Sequence, residues 1–234
     1  LKNKKNGYFL DIGAHDGLYL SNTYLLERNY DWDGLCIEGN PLIIDSLKQN
    51  RKCVCVEELL SGREEQVNFL VYEKDKGVFS KIVSDNDVEI IKKQVKNPNI
   101  ISRRTSVIKD VLVKNNVPKI IDYMSLDVEG KEVDILNSFP FNDYKVKCIT
   151  VEHNEPHEGS MRRNIIRNVL TNNGYKFIKG NDDINNWGHG PIDDYYIFDN
   201  DNKNTKKDIK KNDNIKIGIL IKKFSSLFTC GISQ

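Results

Sequence analysis

The chain has 234 residues, of which 38% are hydrophobic and 29% are charged, and its formal net charge at pH 7 is +1. This usage is typical of a globular domain with a buried core, so it excludes a wholly disordered chain. The near-balance of charge argues against a dedicated nucleic-acid-binding protein, which would normally contain a strongly basic domain.

Short apolar strands alternate with helical segments along the chain. Apolar and β-branched runs predict eight strands, at Tyr8–Ile12, Asp33–Ile37, Lys52–Val56, Val67–Tyr72, Ile121–Asp127, Cys148–Glu152, Lys176–Lys179 and Asp194–Phe198. Helical spacing and end signals predict five helices, at Ser21–Arg28, Pro41–Asn50, Asp85–Lys93, Glu132–Leu136 and Arg162–Asn172. This alternation predicts right-handed βαβ units and a mostly parallel sheet, and the last two strands are expected to end it as an antiparallel pair.

Three segments fall outside this alternation. Residues 77–119 are longer and more polar than a simple crossover, and we expect a helical insertion, a candidate lid, over the carboxyl edge of the sheet. Residues 201–213 are rich in Asp, Asn and Lys, which predicts a polar linker. Residues 214–234 form an amphipathic tail that could dock on the core, lie on a membrane surface or bind a partner, with docking favoured. One domain is therefore predicted over residues 1–200.

The cysteines and the apolar runs indicate the cellular location that is expected for the protein. Cys53 and Cys55 are two apart, which places them on one face of a strand without disulfide geometry, and no CxxC or Cys/His zinc spacing occurs. Cysteines in apolar runs usually behave as small core residues. A reducing compartment is therefore expected, which predicts a cytoplasmic protein. No apolar run approaches the roughly 18 residues of a membrane span, and no signal peptide is recognisable.

The strongest chemical motif follows the first predicted strand, where Asp11, Gly13 and Gly17 precede a predicted helix. Gly13 permits a sharp turn and lets a ligand approach the backbone, and the amides that open the helix favour a carboxylate. The spacing is GxxxG and not the GxGxxG of dinucleotide-binding folds. Asp11 and Asp16 make the loop acidic, which disfavours pyrophosphate. The loop suits S-adenosylmethionine, which carries a sulfonium, an ammonium and one carboxylate.

Glu38 ends the second predicted strand, directly before a helix that opens at Pro41. In nucleoside-binding α/β folds an acidic residue at this strand end takes the ribose hydroxyls. A helix-capping role is the structural alternative.

Two later strands also end in polar residues, which are Asp127, Glu129, Glu152, His153 and Asn154. Because the carboxyl ends of parallel strands meet at one edge of a sheet, these side chains are expected to converge around the reacting group. The alternatives are structural, since Glu129 could cap the following helix and His153 could be a satisfied histidine under a loop.

Together these motifs resemble the FkbM family of S-adenosylmethionine-dependent methyltransferases. The matching segments are residues 11–17, 21–23, 36–41, 126–130 and 151–154, and the resemblance spans about residues 7–200. It implies an α/β class I (Rossmann-like) methyltransferase fold, with a mostly parallel seven-stranded sheet, helices on both faces and an antiparallel closing strand. It also implies O-methylation of a hydroxyl on a sugar, glycan or small metabolite.

The resemblance also assigns the cofactor residues. It implies that Asp11, Gly13, His15, Gly17 and Asn22 line the methionine end of the cofactor, and that Glu38 holds the ribose. The family often has Asn-Ala before a Ser in the next segment, whereas this chain has Glu57 and Glu58 before Leu59, Leu60 and Ser61. Glu57 and Ser61 are therefore the candidates for the adenine contacts.

An alcohol is too weakly acidic to ionise unaided at neutral pH, so a base or a metal must assist. The first hypothesis makes His153 the base, oriented by Glu152, with Asp127 near the methyl group. The second places Mg²⁺ on Asp127 and Glu152, with Asn154 as a further ligand.

Three rival functions stay open. An RNA ribose 2′-O-methyltransferase is disfavoured by the net charge of +1. A non-catalytic nucleoside-binding scaffold would have the same fold but would not transfer methyl groups. A nicotinamide-dependent oxidoreductase is disfavoured by the GxxxG loop.

Overall fold

The computed structural model describes residues 4–72, 77–180 and 192–199. Strands within these residues are β1 (Tyr8–Ile12), β2 (Asp33–Glu38), β3 (Val54–Glu57), β4 (Leu60–Ser61), β5 (Gln66–Leu70), β6 (Lys81–Val83), β7 (Ile100–Arg104), β8 (Ser106–Val107), β9 (Ile120–Leu126), β10 (Lys145–Glu152), β11 (Tyr175–Gly180) and β12 (Asp193–Phe198). Helices are α1 (Tyr24–Tyr30), α2 (Ile44–Asn50), α3 (Asp85–Gln94), α4 (Ile108–Lys114), α5 (Glu132–Ser138), α6 (Glu155–Glu158) and α7 (Met161–Asn172). The predicted linker (201–213) and tail (214–234) lie outside the described residues.

Seven strands form the central sheet, in the order β11-β12-β10-β9-β1-β2-β3. The pairs β10/β9, β9/β1, β1/β2 and β2/β3 are parallel, whereas β12 is antiparallel to both β10 and β11. The predicted antiparallel pair at the end of the sheet is therefore confirmed. Within this pair, β12 lies next to β10 and β11 forms the edge. Tyr196 of β12 is fully buried, as befits an interior strand.

Helices cover both faces of the sheet, as predicted. Alternate residues of each strand point to opposite faces. Leu10 and Ile12 of β1 pack in one cluster with buried side chains of α4, α5 and α7, whereas Phe9 packs in another with Leu26 of α1 and Leu47 of α2. Near-continuous apolar strands are what a sheet with both faces covered requires.

The segment expected to be a helical insertion contains helices α3 and α4, and it also contributes three short strands to small additional sheets. β6, β5 and β7 form a three-stranded antiparallel sheet in that order, and β4 pairs with β8. The predicted strand at Val67–Tyr72 belongs to this small sheet. Helix α3 is present, and the Ser84 side chain and Asp87 form a capping box at its start. Helix α4 belongs to the main core, where Ile108 and Leu112 are fully buried. Within the described residues, no helix is both long and apolar enough to cross a membrane.

Candidate active site

A cavity opens at the carboxyl ends of β1, β2 and β9, with an empty volume of about 970 Å³ that includes its open mouth. In the sheet, β2 and β3 follow β1 on one side, whereas the later strand β9 lies on the other side of β1. In open α/β sheets, ligands bind at such a switch point. The apolar part of the wall contains Leu59, Leu60, Phe69, Ile82 and Val128.

The turn after β1 forms the floor of the cavity. Gly13 has φ +83°, and a Cβ on it would lie 1.6 Å from the carbonyl oxygen of Asp127. Its backbone N–H donates to the Ile37 carbonyl at 2.9 Å, which ties the turn to β2. Gly17 has φ +76°, and a Cβ there would meet the side chain of Arg51 at 2.6 Å. Gly13 therefore lines the cavity, whereas Gly17 lies behind the turn and outside the cavity wall.

Asp11 links this turn to a buried arginine that the sequence analysis did not identify. The Asp11 carboxylate accepts from the Thr23 hydroxyl at 2.5 Å and lies 3.7 Å from Arg51. The guanidinium of Arg51 also donates to Glu27 at 3.0 Å, and its side chain is fully buried. Burial raises the pKa of Asp11, and the Thr23 hydroxyl and Arg51 oppose that rise. Asp11 lines the cavity, and these contacts also anchor the start of α1.

Glu38 is held in place by backbone donors on both of its oxygens. Oε2 accepts from the His15 N–H at 2.8 Å, and Oε1 accepts from the Asn40 N–H at 2.7 Å. Each carboxylate oxygen keeps a further lone pair, so a pair of ligand hydroxyls could still donate to it. His15 and Asn22 also line the cavity, and Asn22 donates to the Ser125 hydroxyl at 3.0 Å.

Glu57 and Ser61 lie outside the cavity wall. The Glu57 carboxylate accepts from Arg103 at 2.7 Å, and Ser61 is buried in β4. The wall is formed instead by Glu58, with Leu59 and Leu60. Successive residues of an extended chain point to opposite sides, so a shift of one position exchanges Glu57 for Glu58.

Three carboxylates converge at the other end of the site, as predicted from the strand ends. One oxygen each of Asp127, Glu129 and Glu152 lies within 4.8 Å of the others. Asp127 faces the open cavity, whereas Glu152 is 7% exposed and its Oε2 has no hydrogen-bond partner among the described residues. Burial raises the pKa of Glu152, and repulsion from Asp127 adds to the rise. Asp193 lies directly across from Glu152 in the β10/β12 ladder and adds to this repulsion.

His153 does not reach this cluster. Its imidazole is fully buried, its Nδ1 accepts from the Glu155 N–H at 3.0 Å, and its Nε2 lies 3.6 Å from Asp194. Burial lowers the pKa of His153 to about 4, so the ring is neutral at neutral pH. Adjacent residues at a strand end project to opposite sides, so Glu152 and His153 cannot both face the reacting group. The ring is absent from the cavity wall, and the structure therefore does not support the base assignment.

Glu132 shapes the loop that carries Asp127 and Glu129. Its fully buried Oε1 accepts from the backbone N–H of Val128 at 3.0 Å and of Gly130 at 3.1 Å. Glu129 within this loop has φ +55°, a conformation that a non-glycine residue seldom adopts. The buried carboxylate therefore compensates a turn that the local sequence would not otherwise favour.

We expect Glu132→Ala to lower the free energy of unfolding by about 1–3 kcal/mol, because two buried N–H groups lose their acceptor. Asp134→Ala on the same helix is the control, since this partly exposed carboxylate pairs only with the partly exposed Lys131 and should change stability by less than about 1 kcal/mol. Urea unfolding of both variants measures the difference. Equal effects would show that Glu132 does not hold the loop.

The acidic cluster also predicts a pH dependence of stability. Glu152 binds its proton more tightly in the folded state than in the unfolded chain, whose glutamate pKa is near 4.5. The folded state therefore holds more protons above pH 4.5, and the free energy of unfolding falls as pH rises, by up to about 1.4 kcal/mol per unit per proton. Unfolding between pH 5 and 9 should show a weaker slope in Glu152→Gln and an unchanged slope in Glu89→Gln, an exposed control. An unchanged slope in Glu152→Gln would contradict the raised pKa.

The sheet order, its single antiparallel strand and the cavity at the β1 switch point define a class I (Rossmann-like) methyltransferase fold. Residues 11–177 match the family described as "Methyltransferase FkbM domain". Since this match covers most of the chain, the protein belongs to the FkbM family, whose model describes a methyltransferase domain. No match was found among curated proteins.

The chain is similar to several solved structures of low identity. Precorrin-6y C5,15-methyltransferase from Geobacter metallireducens is 11% identical, with 74% of this chain and 66% of that chain covered and a TM-score of 0.40. The methyltransferase domain of METTL16 is 11% identical, with 83% and 60% covered and a TM-score of 0.43. Aeropyrum pernix fibrillarin with natively bound S-adenosyl-L-methionine is 9% identical, with 84% and 69% covered and a TM-score of 0.43. The chain thus spans less than two thirds of the length of the first two of these structures.

The cavity residues fit S-adenosylmethionine. Without a Cβ, Gly13 lets the turn pack against the Asp127 backbone and line the cavity, and backbone donors orient the Glu38 carboxylate. Leu59, Leu60 and Phe69 supply an apolar wall against which a planar base can pack.

Proposed function

We propose that the protein is an S-adenosylmethionine-dependent methyltransferase that acts on a hydroxyl group of a sugar, a glycan or a small metabolite. The observation that carries the proposal is the convergence of Asp127, Glu129 and Glu152 beside the cavity. A weakly acidic hydroxyl needs a group that takes its proton, and an ionised carboxylate of such a cluster is suited to that role. The formal net charge of +1 offers no general attraction to nucleic acid, which favours a small acceptor over RNA.

At the cofactor end, Gly13, His15 and Asn22 would hold the amino-acid portion and Glu38 the ribose. When bound, the cofactor supplies an electrophilic methyl group for in-line attack by the acceptor oxygen. Positioning of the two reactants by the cavity can account for about 7–11 kcal/mol of the barrier.

At the acceptor end, Asp127 faces the cavity and Glu152 lies buried behind it. Close carboxyls do not both ionise readily, so the pair holds one shared proton at neutral pH. The ionised member takes the hydroxyl proton as the oxygen attacks. His153 is a positioning residue in this proposal, because its buried ring fixes the turn after β10 through Glu155.

A hard divalent cation is the alternative way to activate the hydroxyl. The unpartnered Oε2 of Glu152 favours it, since a buried oxygen without a donor suits a cation. Asp127, Glu129 and Glu152 would supply the oxygen ligands that Mg²⁺ prefers. The alternative predicts loss of activity on addition of a chelator.

The test follows labelled methyl groups from S-adenosylmethionine into a panel of monosaccharides, oligosaccharides and a short RNA. Wild type, Asp127→Asn, Glu152→Gln and His153→Gln are compared with and without EDTA. The carboxyl mechanism expects loss of transfer in the first two variants, retention in His153→Gln, and no effect of EDTA. Transfer to RNA alone would reject the acceptor class, and absence of S-adenosylmethionine binding in calorimetry would leave only a scaffold role.

A further inference from the structure

A second cluster of chemically reactive side chains lies on the neighbouring strands β2 and β3, away from the acidic cluster of β9 and β10. The sulfur atoms of Cys36, Cys53 and Cys55 all lie within 4.8 Å of one another, and those of Cys36 and Cys53 are 3.5 Å apart. Cys36 in β2 is directly opposite Cys55 in β3, and Cys53 is two residues earlier, on the same face. From the sequence alone, these cysteines are expected to behave as small core residues.

The spacing of the three sulfurs matches the demands of a metal. A tetrahedral zinc ion with Zn–S bonds of about 2.3 Å holds its sulfur ligands about 3.8 Å apart. The observed 3.5 Å pair and the 4.8 Å limit bracket that separation. Cys36 is fully buried, whereas Cys53 and Cys55 are half-buried, so an ion can reach the cluster from the surface.

A buried ion pair lies beside the three thiols. The Glu27 carboxylate accepts from the Lys52 N–H at 2.8 Å and contacts the Cys53 thiol. Its other oxygen is paired with Arg51 at 3.0 Å, so the charge of Glu27 offsets that of the arginine next to the cluster. Thiolate is the form that binds metals.

We propose that Cys36, Cys53 and Cys55 bind one thiophilic divalent cation such as Zn²⁺, with the fourth coordination position open to solvent. Binding displaces up to three thiol protons to solvent and involves no change of oxidation state. The ion would join β2 and β3 two residues before Glu38 and so would stabilise the strand end that carries Glu38. A disulfide would use only two of the three sulfurs.

The test uses the full chain with Cys230→Ser, reduced and free of metal, titrated with Cd²⁺ and then with Zn²⁺ as competitor. A thiolate-to-Cd²⁺ absorption band is expected to saturate at one equivalent, and Zn²⁺ is expected to raise the melting temperature. Cys53→Ser and Cys55→Ser should weaken binding by about 100-fold or more, since even an outer-shell partner contributes 10- to 100-fold. Cys148→Ser, a half-buried cysteine of β10 outside the cluster, should leave binding unchanged.

Several results would overturn the proposal. Binding that is absent, or that survives in both cluster variants, excludes the site. If Cys148→Ser reduced the absorption band as much as the cluster variants do, the band would reflect the total number of thiols and not a specific site. Failure to bind metal together with a mass loss from a Cys36–Cys53 disulfide in air would identify the cluster as a redox pair instead. Circular dichroism of each variant verifies folding.

Discussion

Gly13→Ala is expected to lower the affinity for S-adenosylhomocysteine by at least about 100-fold, which corresponds to about 2.8 kcal/mol. The added Cβ would lie 1.6 Å from the Asp127 carbonyl oxygen, and φ is +83°. That oxygen belongs to the backbone, so no side-chain rotation relieves the overlap. The turn must move away from β9, and the cofactor end of the cavity moves with it.

Gly159→Ala is the control that distinguishes the effect of steric overlap from the effect of backbone strain. Gly159 also has a positive φ, +79°, but a Cβ there would meet nothing within 4 Å. It should cost about 1–3 kcal/mol of stability for strain and leave affinity unchanged. Calorimetry and urea unfolding on both variants supply the measurements. An affinity in Gly13→Ala equal to wild type would refute the placement of the cofactor against this turn.

Asp127→Asn is expected to reduce the rate of methyl transfer by about 10²- to 10⁴-fold, the usual contribution of a positioned proton acceptor. The amide has nearly the same shape but cannot take a proton. Because the substitution alters only the Asp127 side chain and leaves Glu38 and the backbone turn at Gly13 unchanged, binding of S-adenosylhomocysteine should be retained.

Asp110→Asn is the matched control, because this exposed carboxylate lies in α4, outside the cavity wall. Its rate should equal that of wild type. Single-turnover assays with saturating cofactor distinguish a slower chemical step from weaker binding. A full rate in Asp127→Asn would contradict both the carboxyl mechanism and the metal alternative.

Local pattern was enough for the strands that build the cavity. The runs at β1, β2, β9 and β10 are apolar, and each is followed by polar residues. Since parallel strands share an edge, Glu38, Asp127 and Glu152 were expected at one end of the sheet, where they are found. These inferences needed only the period of a strand and the position of its end.

Contacts between residues that are far apart in the sequence could not be predicted in this way. Arg51 is buried between Asp11 and Glu27, and Asp193 faces Glu152 only because β12 inserts beside β10. Nothing local in the sequence marks a buried arginine or the partner of a strand. The second sheet was missed for the same reason, since its strands are short and pair across long separations.

The choice between neighbouring residues also depended on three dimensions. Glu58 lines the cavity and Glu57 does not, and Glu152 joins the acidic cluster while His153 turns under α6. In each pair the two side chains project to opposite sides of an extended backbone, so a strand boundary misplaced by one residue exchanges them.

The sequence by itself determined the order of strands and helices, the glycine turn after β1 and the set of acidic residues at the strand ends, because these follow from periodicity and backbone sterics within a few residues. The tertiary structure decided which of those residues face the cavity, which carboxylates lie together and which cysteines meet. Those outcomes depend on register and burial, which are set by pairings across the whole chain.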